Sequence, residues 1–285
     1  MQKTVKDGWA EVEDLRIHYF ASGEGRGAPV LLLHGGGYDC ASLSYKHAIG
    51  PISEHLRVLA PDWPGYGQSD KPKMEYTTEY YVGFFERLMD ALGLEKANLV
   101  GISMGGAVSL GFSLRSPQRV EKLALVDSHG LGGEVPGGVA SHALVRLPLL
   151  NRLVWAGLKR SRSMVRASLE TTFYDPRIVT EALVDEVHQL VKKPGAGRAW
   201  RSWQENEIGW EGLRTNFVER LQELAMPTLI LHGAEDKYVP VSWARRAHTL
   251  IENSELNVFP RCGHWLTLER PKEFNRAVLE FLERE

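Results

Sequence analysis

The sequence predicts an α/β fold: a mostly parallel central sheet flanked by helices, with a helical cap inserted into it. Three observations carry this. The run Pro29-Val30-Leu31-Leu32-Leu33-His34 is almost continuously apolar, as expected of a strand buried on both faces. Runs of this kind alternate with helical patterns, the signature of a parallel sheet covered on both sides. The alternation stops between about residues 130 and 224 and then resumes.

Taken in order, residues 9–15 and 16–21 read as paired strands. Residues 29–34 form the first buried strand and 56–60 the next, which ends in the turn-rich Pro61-Asp62-Trp63-Pro64-Gly65-Tyr66-Gly67. A helix is expected over 78–92, a strand over 98–102, a helix over 105–114 and a strand over 122–126. The middle block opens with Gly130-Leu131-Gly132-Gly133-Glu134-Val135-Pro136-Gly137-Gly138, read as a flexible lead-in. Helical patterns follow, with Trp155, Trp200, Trp203 and Trp210, which suit either a substrate pocket or the cap's own core. Strands resume at 227–233 and 256–259, and a helix over 271–282 closes the chain. The expected division is a core of residues 1–129 and 225–285 and a cap of residues 130–224.

Composition narrows the class. With 34 basic and 36 acidic residues among 285, the net charge of -2 gives no nucleic-acid footprint. Two cysteines, Cys40 and Cys262, are too few for a disulfide framework or a structural zinc site, and both are expected as small buried thiols. No apolar stretch follows the lysines of Met1-Gln2-Lys3-Thr4-Val5-Lys6-Asp7, so no signal peptide is expected. No run reaches the roughly 18 apolar residues of a membrane span. The expectation is a cytoplasmic monomer or homodimer acting on a small molecule. No metal, cofactor, nucleic acid or membrane is implied. The run Lys159-Arg160-Ser161-Arg162 with Arg166 reads as a solvated helix face.

The chemistry centres on Gly101-Ile102-Ser103-Met104-Gly105, a G-x-S-x-G pattern between a predicted strand and a predicted helix. A tight strand-to-helix turn strains the serine backbone, and side chains two residues away would clash; Gly106 extends the small-residue patch. A serine hydroxyl needs a base within hydrogen-bond reach and a group that orients the base. Of ten histidines, His264 follows the last strand in Arg261-Cys262-Gly263-His264-Trp265, at the sheet edge where catalytic groups gather. His129 is its rival, and His18, His47, His55, His142, His188 and His248 lie in surface-like patterns. The orienting carboxylate is Asp236, after the penultimate strand, with Asp127 as the alternative; Glu235 is expected to face solvent. His34-Gly35-Gly36-Gly37 supplies an oxyanion loop, with the amides of Gly36 and Met104 as donors and Gly37 as the alternative to the first. His34 itself is read as a hydrogen-bonder beneath that loop. Trp265 is placed in the substrate pocket by its proximity to His264.

These motifs together resemble the α/β-hydrolase superfamily: His34 to Gly37, Asp62-Trp63-Pro64-Gly65-Tyr66-Gly67-Gln68-Ser69-Asp70, Gly101 to Gly106, Gly233 to Pro240 and Cys262 to Trp265. The resemblance implies the α/β-hydrolase fold and, with serine at position 103, an acyl-enzyme mechanism on a carboxylic ester. Within the superfamily, the glycine loop and the tail from Cys262 to Arg276 are similar to the meta-cleavage-product hydrolases, which implies carbon–carbon bond cleavage in a dienoic ketoacid as the alternative. Two departures count against it. That subfamily has asparagine before the nucleophile, where this chain has Ile102. It also sets a cap arginine on the acid end of the substrate, and the matching segment here, Val184-Asp185-Glu186-Val187-His188, has none. A ligand receptor built on the same fold is the reading from another class.

Overall fold

Eight strands form one sheet in the computed structural model, which describes residues 4–25, 27–135, 148–209 and 212–284. They are β1 (Lys6–Val12), β2 (Leu15–Ser22), β3 (Val30–Leu33), β4 (Val58–Pro61), β5 (Ala97–Ile102), β6 (Val120–Val126), β9 (Thr228–Gly233) and β10 (Ser254–Phe259). A separate small hairpin pairs β7 (Ile208–Gly209) with β8 (Gly212–Leu213). The sheet order is β1-β2-β4-β3-β5-β6-β9-β10. Pairs β1–β2 and β2–β4 are antiparallel and the others parallel.

Alternation along each strand sorts the core into two layers. Leu31 and Leu33 of β3, Leu99 of β5 and Leu123 and Leu125 of β6 point to one face. There they meet Phe85 and Leu88 of helix Thr78–Ala91 and Val108 of helix Met104–Arg115. Val30 and Leu32, Val100 and Ile102, and Ala124 and Val126 point to the other face, against Phe274, Val278 and Phe281 of helix Pro271–Glu283. With both faces buried, no polar alternation is needed. Truncating one such leucine to alanine costs about 2–5 kcal/mol.

The chain steps from β3 to β4 on one side and then crosses back to place β5 on β3's other side. Such a reversal leaves a crevice at the carboxyl ends of β3 and β5. The strands end flush there, with Leu33 paired to Gly101.

Between β6 and β9 lie helices Pro148–Arg160, Arg162–Thr172, Glu181–Lys192 and Arg198–Glu207. The described part of the glycine-rich lead-in is packed, contrary to the flexible reading. Leu131 is fully buried, and a Cβ on Gly132 would lie 2.2 Å from the Trp243 ring. The glycines serve close approach rather than mobility. Residues 136–138, His142 and Trp210 lie outside the described residues.

Other expectations are corrected. The first hairpin turns at Glu13-Asp14, because Val12 pairs with Leu15 and Glu13 takes a positive φ of 56°. His18 and His188 are buried, not on the surface. His18 sits between Asp62 (2.9 Å) and Asp7 (2.8 Å). Burial works against its cation, but the two carboxylates outweigh it and raise its pKa. His188 Nε2 donates to the Lys159 carbonyl at 3.1 Å. The basic run does lie on a solvated helix face, with Arg160 and Arg162 exposed and surface ion pairs from Arg162 to Glu181 and Asp185 and from Arg166 to Glu181. Cys40 and Cys262 are both buried free thiols. Burial pushes Cys40 up to about 12 and raises Cys262 as well. Among the described residues, no helix is long and apolar enough to cross a membrane.

Candidate active site

Ser103 stands between β5 and helix Met104–Arg115, with φ 53° and ψ -118°. This strained backbone is sparsely populated and persists because its surroundings enforce it. A Cβ on Gly101 would lie 2.4 Å from the Gly105 carbonyl, and one on Gly105 would lie 2.1 Å from that of Leu33. Only glycine fits either place. The Ser103 amide bonds the Val126 carbonyl (3.0 Å), and its carbonyl receives the His129 amide (3.2 Å), so β6 clamps the turn.

The structure brings Ser103, His264 and Asp236 together. His264 Nε2 lies 3.0 Å from Ser103 Oγ, and His264 Nδ1 lies 2.7 Å from Asp236 Oδ2. With Asp236 ionised, Nδ1 carries the proton and Nε2 accepts from the serine hydroxyl. Asp236 Oδ1 accepts from the amides of Tyr238 (2.7 Å) and Val239 (3.0 Å), which fixes the carboxylate. Burial opposes its ionisation, but the His264 ring outweighs it and holds the pKa below the usual range. Burial also opposes the His264 cation, and the Asp236 charge reverses that, raising the imidazole pKa.

Asp127 does not reach His264. Its oxygens accept from the amides of Gly233 (2.8 Å) and Leu266 (3.2 Å), in the loops that present Asp236 and His264. Burial and the neighbouring Asp236 charge raise its pKa well above the carboxylate range. Asp127, His232 and Asp236 place ligand-type atoms within 4.8 Å of one another. The carboxylates are committed to protein donors, however, and His232 Nε2 donates to the Val239 carbonyl at 2.9 Å. His129 points elsewhere, with Nε2 2.8 Å from Glu207 Oε1. Glu235 is exposed, and its carboxylate caps the Cys262 amide at 3.0 Å.

His34 lies buried beneath the glycine loop. Its Nδ1 donates to the Gly35 carbonyl (2.8 Å), and Nε2 accepts from the Trp63 amide (3.1 Å). Asp39 completes the support by accepting from the Gly35 amide (2.7 Å) and the Ser44 hydroxyl (2.6 Å). A Cβ on Gly36 would lie 2.2 Å from the Trp200 ring, and Gly37 has φ 76°. The Gly36 and Met104 amides take no acceptor among the described residues. Met104 is first in its helix, where an N–H has no intrahelical partner.

A cavity of about 570 Å³ opens over Ser103 and His264. Trp155, Trp200, Trp203 and Trp265 line it with Leu150, Val154 and Leu158. The described cap tryptophans therefore face the pocket. Trp265 does so too, its indole N–H donating to Ser44 at 2.9 Å and its ring stacking on Phe173.

Sequence reasoning missed the residues that fasten the cap to the base. The Thr172 carbonyl receives the His264 amide at 2.9 Å. Glu269 gathers the amides of Gly263 (2.7 Å), Tyr174 (3.1 Å) and Asp175 (2.9 Å). Its one sequence signal was an acidic residue in an otherwise apolar turn. Glu207 gave none, since its core partners His129 and Thr78 lie 78 and 129 positions away.

Comparison with known proteins agrees with this architecture. A family model described as alpha/beta hydrolase fold matches residues 28–271. The 2-hydroxy-6-oxo-2,4-heptadienoate hydrolase of Pseudomonas putida is 33% identical over 261 residues, 90% of each chain. The 2-hydroxy-6-oxo-6-phenylhexa-2,4-dienoate hydrolase of Comamonas testosteroni is 33% identical over 98% of this chain and 96% of its own. A solved meta-cleavage product hydrolase of Pseudomonas fluorescens superposes with a TM-score of 0.81 at 30% identity, over 96% of this chain and 97% of that one. A match of this extent, on a sheet and turn of this geometry, makes the chain a member of the α/β-hydrolase fold family.

Proposed function

We propose that this protein is a serine hydrolase that cleaves a carboxylic ester of a small to medium apolar substrate. The observation behind this reading is the hydrogen-bonded series Ser103–His264–Asp236 opening into a largely apolar cavity. Ser103 Oγ attacks the carbonyl carbon while His264 Nε2 takes its proton. Asp236 holds the imidazole in the required tautomer and stabilises its cation. The amides of Gly36 and Met104 receive the oxyanion, with Gly37 as the alternative first donor. His264 then protonates the leaving alcohol, and water releases the acid by the reverse sequence. Residues 130–224 act as a cap that roofs the site and, with Trp265, shapes the pocket.

A second reading has its own support. The relatives above are named as dienoate hydrolases and match over nine-tenths or more of both chains, which favours carbon–carbon bond cleavage by the same three residues. The lining favours the ester. A dienoate brings a carboxylate, whose burial is costly unless it is paired with a cation or fully hydrogen-bonded. Among the described lining residues the one lysine or arginine is Lys237, which is exposed, and Ile102 offers no polar atom. Side-by-side assays decide: p-nitrophenyl butyrate release against loss of the visible absorbance of a dienoic ketoacid. Multiple turnovers of the ester, with the dienoate untouched, are expected. Rapid bleaching of the dienoate without ester turnover would replace the first reading by the second.

A further inference from the structure

We propose that His129, held by Glu207, is a substrate-recognition residue whose Nδ1 forms one hydrogen bond within the cavity with a hydroxyl set apart from the scissile carbonyl. The proposal deepens the hydrolase reading and rests on it.

Position comes first. The His129 amide is bonded to the Ser103 carbonyl at 3.2 Å, so this side chain springs from beside the nucleophile. It borders the same cavity as Ser103 and His264. Its ring packs edge-on to Trp203 with centroids 5.2 Å apart. Ile208, Leu213 and Val135 also line this cavity and add apolar surface to it.

The ring is locked from behind. Nε2 lies 2.8 Å from Glu207 Oε1, and both groups are buried. Glu207 also accepts from the Thr215 amide (2.8 Å) and the Thr215 hydroxyl (2.5 Å), with Thr78 within 3.4 Å. Trp203 Nε1 in turn bonds Thr78 at 3.0 Å. Burial alone would raise the Glu207 pKa, but these donors and His129 pull it down. Every polar atom of this group is used except His129 Nδ1, which has no partner among the described residues. A pin between cap and core would need only Nε2.

The chemistry selects the ligand. With the pair ionised, Nδ1 carries a proton and donates; with the imidazole neutral, Nδ1 accepts. A hydroxyl answers both states. A carboxylate suits neither well, because the Glu207 charge stands directly behind the ring.

Binding of non-hydrolysable methyl ketones tests this, read by tryptophan fluorescence at neutral pH. The ligands are 2-hexanone through 2-octanone and their ω-hydroxy counterparts. In the wild-type protein at least one hydroxyketone should bind about tenfold more tightly than its parent. His129→Phe, which keeps the volume, should erase that ratio. Glu207→Ala, which frees the ring, should erase it too, and Glu207→Gln, which can still accept from Nε2, should restore most of it. Equal affinities throughout the wild-type series would overturn the proposal. So would a ratio that survives His129→Phe, even with a lowered Tm, since that pattern marks a purely structural pin. The titration does not depend on turnover, so failure of the ester assay would sink the ester reading alone.

Discussion

The two walls of the cavity are built on different principles. The core wall comes from strand ends: Ser103 after β5, Asp236 after β9 and His264 after β10, each on a short turn pinned by backbone hydrogen bonds. The cap wall comes from helices that meet it through side chains, with Trp200 and Trp203 stacked 5.0 Å apart and Glu207 bonded across to His129. On the proposed function, the first wall carries the reaction and the second selects what enters. Changes to the core wall should therefore strike rate, and changes to the cap wall should strike selectivity.

The sharpest break of that contrast is Ser103→Ala. It should cut kcat by about 10⁶-fold and abolish fluorophosphonate labelling while leaving Tm within a degree or so. Residual turnover above about 1% of wild type would remove Ser103 from its role. Next comes Asp236→Asn, expected to cost about 10⁴-fold. Asp127→Asn should cost less rate and more stability, because its oxygens serve two backbone amides rather than His264. If the two losses are reversed, Asp127 is the orienting acid.

The pH profile sharpens the same wall. His264 must be neutral to accept a proton, and Asp236 raises its pKa above the ordinary 6.5. kcat/KM should therefore rise with pH through an inflection above 6.5, and activity should be lost below it. Asp236→Asn should move that inflection down; an unmoved inflection would mean another group titrates.

Gly36→Ala sits where the walls touch. The new methyl meets Trp200 and shifts a proposed oxyanion donor, so a loss of about 10²-fold is expected. Adding Trp200→Ala should recover part of it. The smallest effect belongs to the half-exposed ion pair of Lys46 with Glu186 that spans core and cap. Lys46→Ala should cost less than about 1 kcal/mol and leave kinetics near wild type.

The difference between the walls also explains what could be read from the residues. The core wall was legible because its constraints are local: a glycine two positions from Ser103 is demanded by backbone contacts, and strand ends are marked by apolar runs. Asp127 and Asp236 both follow strands, so order alone could not separate them; position after the penultimate strand favoured Asp236, and the 2.7 Å contact to His264 agrees with it. The cap wall was opaque. Helical periodicity places Trp200 and Trp203 on one face but does not say which core surface they cover. His18 looked superficial because its partners Asp62 and Asp7 come from other segments. The glycines at 130 and 132 looked loose because Trp243, which fills the space beside Gly132, lies far along the chain.

The buried thiols of Cys40 and Cys262 make the protein its own blank for labelling. With both sulfurs shielded and held protonated well above neutral pH, maleimide reagents find no native target. A single cysteine introduced at the exposed Leu153, on helix Pro148–Arg160 of the cap, would be the sole reactive position. A dye there could follow the roof over the pocket as ligands come and go, with the unlabelled background already silent.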